Sequence, residues 1–447
     1  MANLPASEAL DARAGRGPSL RSSGGAGERE SSAAAGPWRT LLEVGAVWLV
    51  TRLIISIAAG IGALVTPSHG MIARAACGGA KWCPDPSLPG TGLLGVPRAI
   101  YVLGTGWDAS WYLQVLQAGY VRSGVGFWAL GFYPGYPLLG ALVYWPVNLV
   151  HHGAGTLLGP AALLVTSNVC LVVALWALWR LYVPLLGRQA TLVGSALLLA
   201  APGSVFLSGA FSESPFIAAT ALAMLAAHRG HWAWAGLAAA VACLLRPHGA
   251  LILLPLAVLW AQAPVRPPLP TVVGLGALLA GAAAFPAYTW MAFADPLLYS
   301  HVKEQGWGVR LENPAVVLAS TGRWAAAGAG WLVGREADNL PQFAGAVNYG
   351  ALAVTNAVAA FSAVVAAFLS WLRLPASHAL WAVLMVVVPL LSGIGNSPTR
   401  YALSAWPIYY FLGSLFRTPW LAVPAVALSC IGLAVVSYDF QQGYFVA

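Results

Sequence analysis

From Leu41 onward this chain is a succession of apolar runs, most of them close to the ~20 residues that cross the hydrocarbon core of a bilayer as a helix. Backbone N–H and C=O groups in lipid must find their partners inside the segment, which leaves helix as the solution for each run. Only 8% of the 447 residues are charged and 59% are hydrophobic, whereas a soluble domain carries about 25% charged residues. Mean hydropathy is +0.74. The expectation is an all-α, polytopic membrane protein of about 11 transmembrane helices. Candidate spans lie near 41–65, 161–183, 190–207, 211–228, 232–245, 249–262, 270–292, 347–371, 378–395, 401–416 and 420–437. Pro247 and Gly249 favour a break between the fifth and sixth of these.

The sparse charges carry the rest of the information. Net charge is +8, from 22 basic and 14 acidic residues, and the only lysines are Lys81 and Lys303. The arginines are scattered and form no basic block, so nucleic acid is not an expected partner. Residues 1–37 are rich in Gly, Ser, Ala and Arg and read as a disordered cytoplasmic tail ahead of a single domain over 38–447. No signal peptide precedes Leu41 to Val65, which reads as a retained anchor. Cys170, Cys243 and Cys430 sit in apolar runs as small core residues. Cys77 and Cys83 share a polar loop, and the pattern leaves open whether they are bridged.

Arginines in short loops mark the cytoplasmic side. Placing Arg13, Arg16, Arg21, Arg29 and Arg39 inside, with Arg180, Arg188, Arg229, Arg266, Arg373 and Arg417, gives a cytoplasmic N-terminus and an external C-terminus. A first external loop over about 67–160 then carries two interfacial helices, around 107–118 and 133–150. Every acid after Glu43 falls on the external side, so the chemistry is expected on the outer face of a multi-pass cell-membrane protein.

Five polar constellations interrupt the hydrocarbon. Trp107, Asp108, Trp111 and Tyr112 combine a lone carboxylate with aromatic faces suited to sugar rings, followed by Tyr133 and Tyr136 in Phe-Tyr-Pro-Gly-Tyr-Pro. A glycosyl transfer needs a base within reach of the acceptor hydroxyl; an acid capping an interfacial helix reads equally well. Glu213, between Ser212 and Ser214, is costly at a membrane boundary unless paired or functional, though serines before a proline also make a plain helix start. Arg246, followed by His248 in Arg-Pro-His-Gly, requires a watery cavity or an anionic partner, either a lipid phosphate or Glu213 or Asp108. Lys303 and Trp307 lie in a charged, aromatic segment, His301 to Arg310, that reads as a phosphate or sugar dock or as a solvated loop. Arg400 and Tyr401 stand at the outer end of a span, where snorkelling explains an arginine. No zinc-type Cys/His spacing, P-loop or nucleophile elbow occurs, and no metal ligands are assigned. His151 and His152 read as an interfacial pair.

Taken in order, these motifs resemble the PIG-V type of mannosyltransferase, the group that contains the second GPI mannosyltransferase and its bacterial relatives, within the GT-C class of polytopic glycosyltransferases. The matching pieces are W-D-x-x-W-Y with G-Y at 107–120, F-Y-P-G-Y-P at 132–137, F-S-E-S-P-F at 211–216 and R-P-H-G at 246–249. They continue with the tryptophan segment at 301–310, R-Y-A-L-S-A-W-P at 400–407 and G-Y-F-V-A at 443–447. The resemblance implies a polyprenyl-phosphate-sugar donor, mannose or a related sugar, used on the outer face with inversion. It implies Asp108 as the base and Arg246, with His248, Lys303 and Arg400, around the donor phosphate. Glu213, Trp107, Trp111, Tyr112, Tyr133, Tyr136, Trp307 and Tyr401 would then shape the site. The acceptor would be a glycolipid, glycan or protein. No cofactor is required, and a divalent cation is compatible with the scheme. Trp111 and Gly135 depart from the family pattern, where histidine and leucine are common. The competing class is a carrier or flippase for a lipid-linked sugar, which would share the helices and the buried arginine; an exchange carrier typically shows inverted repeats, and no convincing repeat is seen.

Overall fold

The computed structural model describes residues 37–64, 96–150, 157–333, 349–392, 397–416, 418–441 and 446. The tail before Pro37, Cys77, Cys83, His151, His152, Arg417 and most of the 443–447 motif lie outside the described residues. Among the described residues there is no strand. Residues Val44–Ala447 form one compact unit; of the unit before it, only the start of the first helix is described.

The chain opens with α1 (Pro37–Leu64), then two short helices, α2 (Val96–Thr105) and α3 (Ala109–Ala118). A 3-10 turn at Val125–Gly131 leads into α4 (Gly135–Val150). The positions expected for the two interfacial helices therefore do carry helices. α5 (Leu158–Leu186) stops at Gly187, whose φ of 83° is open to glycine without strain. α6 (Arg188–Ala200) breaks at Pro202 and resumes as α7 (Val205–Ser208), bent by 72°. α8 (Glu213–His228) and α9 (Trp232–Leu245) follow, then a 3-10 turn at Pro247–Ile252 and α10 (Leu253–Gln262). The break expected at Pro247 and Gly249 is present. The second half comprises α11 (Pro268–Phe293), α12 (Leu298–Trp307), α13 (Pro314–Leu332), α14 (Tyr349–Leu369), α15 (Ala376–Leu391), α16 (Pro398–Ser404), α17 (Pro407–Leu415) and α18 (Pro419–Gln441).

Five helices among the described residues are long and apolar enough to cross a membrane, or six if the bent α6–α7 pair is one span. Shorter apolar helices at Trp232–Leu245, Pro247–Gln262 and Ala376–Leu391 add to these. The helices not expected are α2, α12 and α13; in α13 Gly, Ala and the central Arg323 dilute the apolar signal.

α8 lies at the centre, packed between α5 and α9, and α9 packs on α11. Of the 16 residues of α8, 13 are buried, as expected of a helix surrounded by others. The α9–α11 contact is made by small residues: a Cβ on Gly236 would overlap the Gly274 carbonyl, and one on Gly281 would lie 2.6 Å from Ala240 Cα. Close backbone approach of this kind is how helices associate where lipid removes the hydrophobic drive. It fixes the frame in which Glu213, at the first turn of α8, and Arg246, just past the end of α9, come together.

Candidate active site

The site begins at the turn between α2 and α3. Gly106 N donates to Val102 O at 2.7 Å, and Trp107 then takes a left-handed backbone with φ of 54°. For a tryptophan this costs on the order of 1–3 kcal/mol. Asp108 occupies the N-cap position of α3, yet its carboxylate makes no capping bond; Ser110 Oγ donates to Trp107 O instead, at 2.7 Å. The helix-cap reading of Asp108 is therefore replaced by another partner. Arg400 Nη1 donates to Asp108 Oδ2 at 2.5 Å.

Arg400 binds two acids at once. Its Nε donates to Glu213 Oε1, and the same oxygen accepts from Arg246 Nη2 at 2.5 Å. Arg246 Nε donates to Ser212 Oγ at 2.9 Å, and Tyr112 OH shares that hydroxyl at 2.9 Å. Two local readings give way here. Ser212 makes no capping bond and serves the arginine, while Ser214 Oγ donates to Leu207 O at 2.6 Å. Snorkelling fails for Arg400, which is buried, because two carboxylates hold it inside. Glu213 is wholly buried; its Oε2 finds no protein partner because both guanidiniums converge on Oε1. The Arg246 guanidinium also lies 5.5 Å from the Phe216 ring, and that of Arg400 lies 4.8 Å from Phe211 and 5.2 Å from Phe206.

Lys303 enters from α12. Its Nζ lies 4.0 Å from the Phe132 ring centroid and 4.3 Å from that of Trp307, and no carboxylate pairs with it among the described residues. Burial lowers its pKa to about 8, against the opposing pull of Asp108. Burial likewise opposes the charge on Asp108, but Arg400 and Lys303 outweigh it and hold the carboxyl below its ordinary value of 3.8. Three cations thus face two carboxylates, leaving one net positive charge in a largely apolar setting.

Aromatic rings wall the mouth. Trp111 stacks on Phe132 at 6.2 Å, and Trp307 stands edge-on to Trp111, Phe132 and Trp128. Trp307 is on the surface and Trp107 and Trp111 are half-buried. Tyr112 contacts Phe132 and Tyr136 edge-on. Tyr136 is fully buried, bonding Leu163 O and Ser167 Oγ at 2.8 Å, so it supports Tyr112 from behind. Tyr133 packs on Phe285 and Tyr299. His248 faces Tyr401 at 6.3 Å. The turn holding Arg246 and His248 needs Gly249, since a Cβ there would overlap the Ala242 carbonyl. Phe132, Phe206, Phe211, Trp128 and Ser404 also belong to the site, although their types carry no charge that marks them in the sequence. Of these, Phe132, Phe211 and Ser404, whose hydroxyl accepts from Arg246 Nη1 at 3.4 Å, stand inside quoted motifs.

Beside this cluster an apolar cavity of about 460 Å³ opens between α3, α4, α9 and α11, lined by Leu116, Tyr120, Leu138, Trp145, Phe285 and Tyr288 among others.

No protein-family model matches the chain. No curated protein matches it either. Among solved structures, the chain is similar to the Archaeoglobus fulgidus oligosaccharyltransferase tethered through a disulfide bond to an acceptor peptide containing the NVT sequon. The identity is 14% and the TM-score 0.40, with 76% of this chain and 51% of that chain covered. The chain therefore spans about half the length of that structure, and a likeness at this level carries no argument about its activity.

Proposed function

We propose that the chain is a membrane glycosyltransferase of the GT-C class, close to the PIG-V type. It would move a mannosyl or related residue from a polyprenyl-phosphate donor to an acceptor hydroxyl on the outer face, with inversion. The observation that carries this reading is the Asp108–Arg400–Glu213–Arg246 chain of ion pairs, completed by Lys303 into a net-positive site rimmed by indoles. A positive site fits the phosphate of the donor, the half-exposed aromatic rings fit a sugar, and the apolar cavity fits a lipid tail.

In this scheme the acceptor oxygen attacks the anomeric carbon from the face opposite the phosphate. Its proton passes to Asp108, and the bond from the anomeric carbon to the phosphate oxygen breaks with its electron pair going to phosphate. Lys303 and Arg246 meet that growing charge, with His248 beside them, in a setting where fixed cations act strongly. Arg400 holds Asp108 Oδ2 and leaves Oδ1 to face the acceptor. The leaving phosphate needs no proton near neutral pH, so one base suffices. The scheme uses no metal; a divalent ion on the donor phosphate is compatible with it.

The test is transfer of label from polyprenyl-phosphate-mannose to envelope acceptors by protein reconstituted in lipid, with Asp108→Asn alongside. Label moving only with the wild type supports the reading. Movement of intact donor across the bilayer by both proteins, without transfer, would replace it with a carrier.

A further inference from the structure

Arg52, on α1, is a third buried arginine beside Arg246 and Arg400, and the scheme above does not use it. It is 8% exposed, and no carboxylate pairs with it among the described residues. Its Nη1 donates to Ser208 Oγ at 2.7 Å and its Nη2 to Leu199 O at 3.2 Å; its Nε finds no protein partner. Both acceptors lie at helix C-termini, Leu199 in the last turn of α6 and Ser208 at the end of α7. At α6 the acceptor is a carbonyl of the last turn, which lacks an intrahelical donor and sits where the helix dipole favours a cation; at α7 it is the Ser208 hydroxyl.

These two helices are the arms of the 72° break. The break is stitched on every side. Ser204 Oγ donates to Leu198 O. Asn168 of α5 bonds Ser208 through Nδ2 to its carbonyl at 3.3 Å and Oδ1 to its hydroxyl at 3.4 Å. Ala210 N donates to Leu103 O at 2.9 Å, and Ser167 Oγ to Phe211 O at 3.3 Å. Arg52 is the one charged member of this set.

What the break holds is the floor of the acid–arginine chain. Phe206 and Phe211 lie under the Arg400 guanidinium, and Ser212 and Glu213 follow directly. Gly203 backs onto α16 so closely that a Cβ there would lie 2.8 Å from Thr399 O. A shift of the break therefore moves Arg400 both through its own helix and through its acid partner.

We propose that Arg52 is a positioning residue: by clamping the two helix ends at the α6–α7 break, it sets the Arg400–Asp108 contact. The proposal rests on Asp108 being the reactive carboxylate, but its test does not require transfer.

The protein in lipid nanodiscs is treated with dicyclohexylcarbodiimide, which labels protonated carboxyls, and labelling of Asp108 is followed by mass spectrometry across pH. Asp108 is reachable, its side chain being 27% exposed. Loosening Arg400 raises the protonated fraction of Asp108. Arg52→Gln is expected to label several-fold faster than wild type at about pH 5, with Arg52→Lys, which keeps the charge, intermediate. Ser208→Ala removes one acceptor and is expected to give a smaller rise; it carries the test if Arg52→Gln does not fold. Leu278→Ala, a packing fault on α11 away from the break, is expected to label as wild type. Wild-type rates in all three break variants, or equal acceleration by Leu278→Ala, would overturn the proposal. Acceleration in a protein that transfers no sugar would keep the clamp and remove the glycosyltransferase reading.

Discussion

Arg400 Nη1 lies 2.5 Å from Asp108 Oδ2 across 292 positions of sequence, while Nε of the same guanidinium reaches Glu213. The fork geometry of arginine makes this double engagement available; a lysine ammonium offers one compact charge on a flexible stem. One side chain from α16 therefore fixes both the acid at the start of α3 and the acid at the start of α8.

Removing that guanidinium leaves Glu213 wholly buried with only Arg246 as a charged partner. Arg400→Gln is expected to lower stability by about 3–5 kcal/mol, the usual cost of breaking a buried pair from one side. Thermal unfolding in detergent measures it. Adding Glu213→Gln should recover part of that loss without recovering transfer. A double variant no more stable than the single would contradict the buried-pair account.

Asp108 has its carboxyl pKa held below 3.8, because Arg400 and Lys303 outweigh burial. With a depressed folded value, its contribution to stability is fully present above the ordinary value and is lost as pH falls through the lowered one. Unfolding measured against pH should therefore show an Asp108-dependent loss only on the acid side of 3.8, absent from Asp108→Asn. In transfer assays Asp108→Asn should cost about 10²–10⁴ in turnover in a protein that elutes as a folded species.

Lys303 titrates close to the working range, at about 8. If its ammonium meets the donor phosphate, KM for donor should rise as pH climbs through about 8. Lys303→Met should remove that dependence and raise KM roughly tenfold or more, the worth of one charge-assisted hydrogen bond. A wild-type KM flat across this interval would take Lys303 out of phosphate binding.

The α9–α11 contact gives a prediction far from the chemistry. Gly236→Val places a side chain against the Gly274 backbone, which cannot rotate aside. Overpacking of this kind costs about 1–3 kcal/mol, read as a lowered unfolding temperature. Gly276→Ala, on α11 with open space around it, should leave that temperature unchanged.

The spans were legible because a membrane leaves a segment few options: most of the long helices fall on expected runs, though the run at 401–416 is divided between α16 and α17, and the break at Pro247 follows from proline's missing donor. α13 was not legible, since Arg323 and its glycines and alanines resemble a loop as much as a helix. The polar motifs also announced themselves, because charge is rare here. Their roles did not. Ser212 and Ser214 carry a helix-start pattern and Arg400 a snorkelling position, yet Ser212 and Arg400 take partners from other helices, and Ser214 bonds back to Leu207 on α7 instead of capping α8. Local spacing encodes local bonds, whereas these depend on which helices pack together. Arg52 had the same signal as the others, a lone charge inside an apolar run, and its meaning lay wholly in the broken span it touches.

The distance in sequence between Asp108 and Arg400 also orders events during synthesis. Glu213 and Arg246 belong to one helical hairpin and meet soon after α9 is made. At about 5–20 residues per second, Asp108 waits on the order of 15–60 s before Arg400 leaves the ribosome. α12 delivers Lys303 in the interval, and α16 then closes the circuit. A nascent chain that stops short of α16 carries every acid of the site but lacks the arginine that anchors Asp108, so the site is among the last parts of the protein to exist.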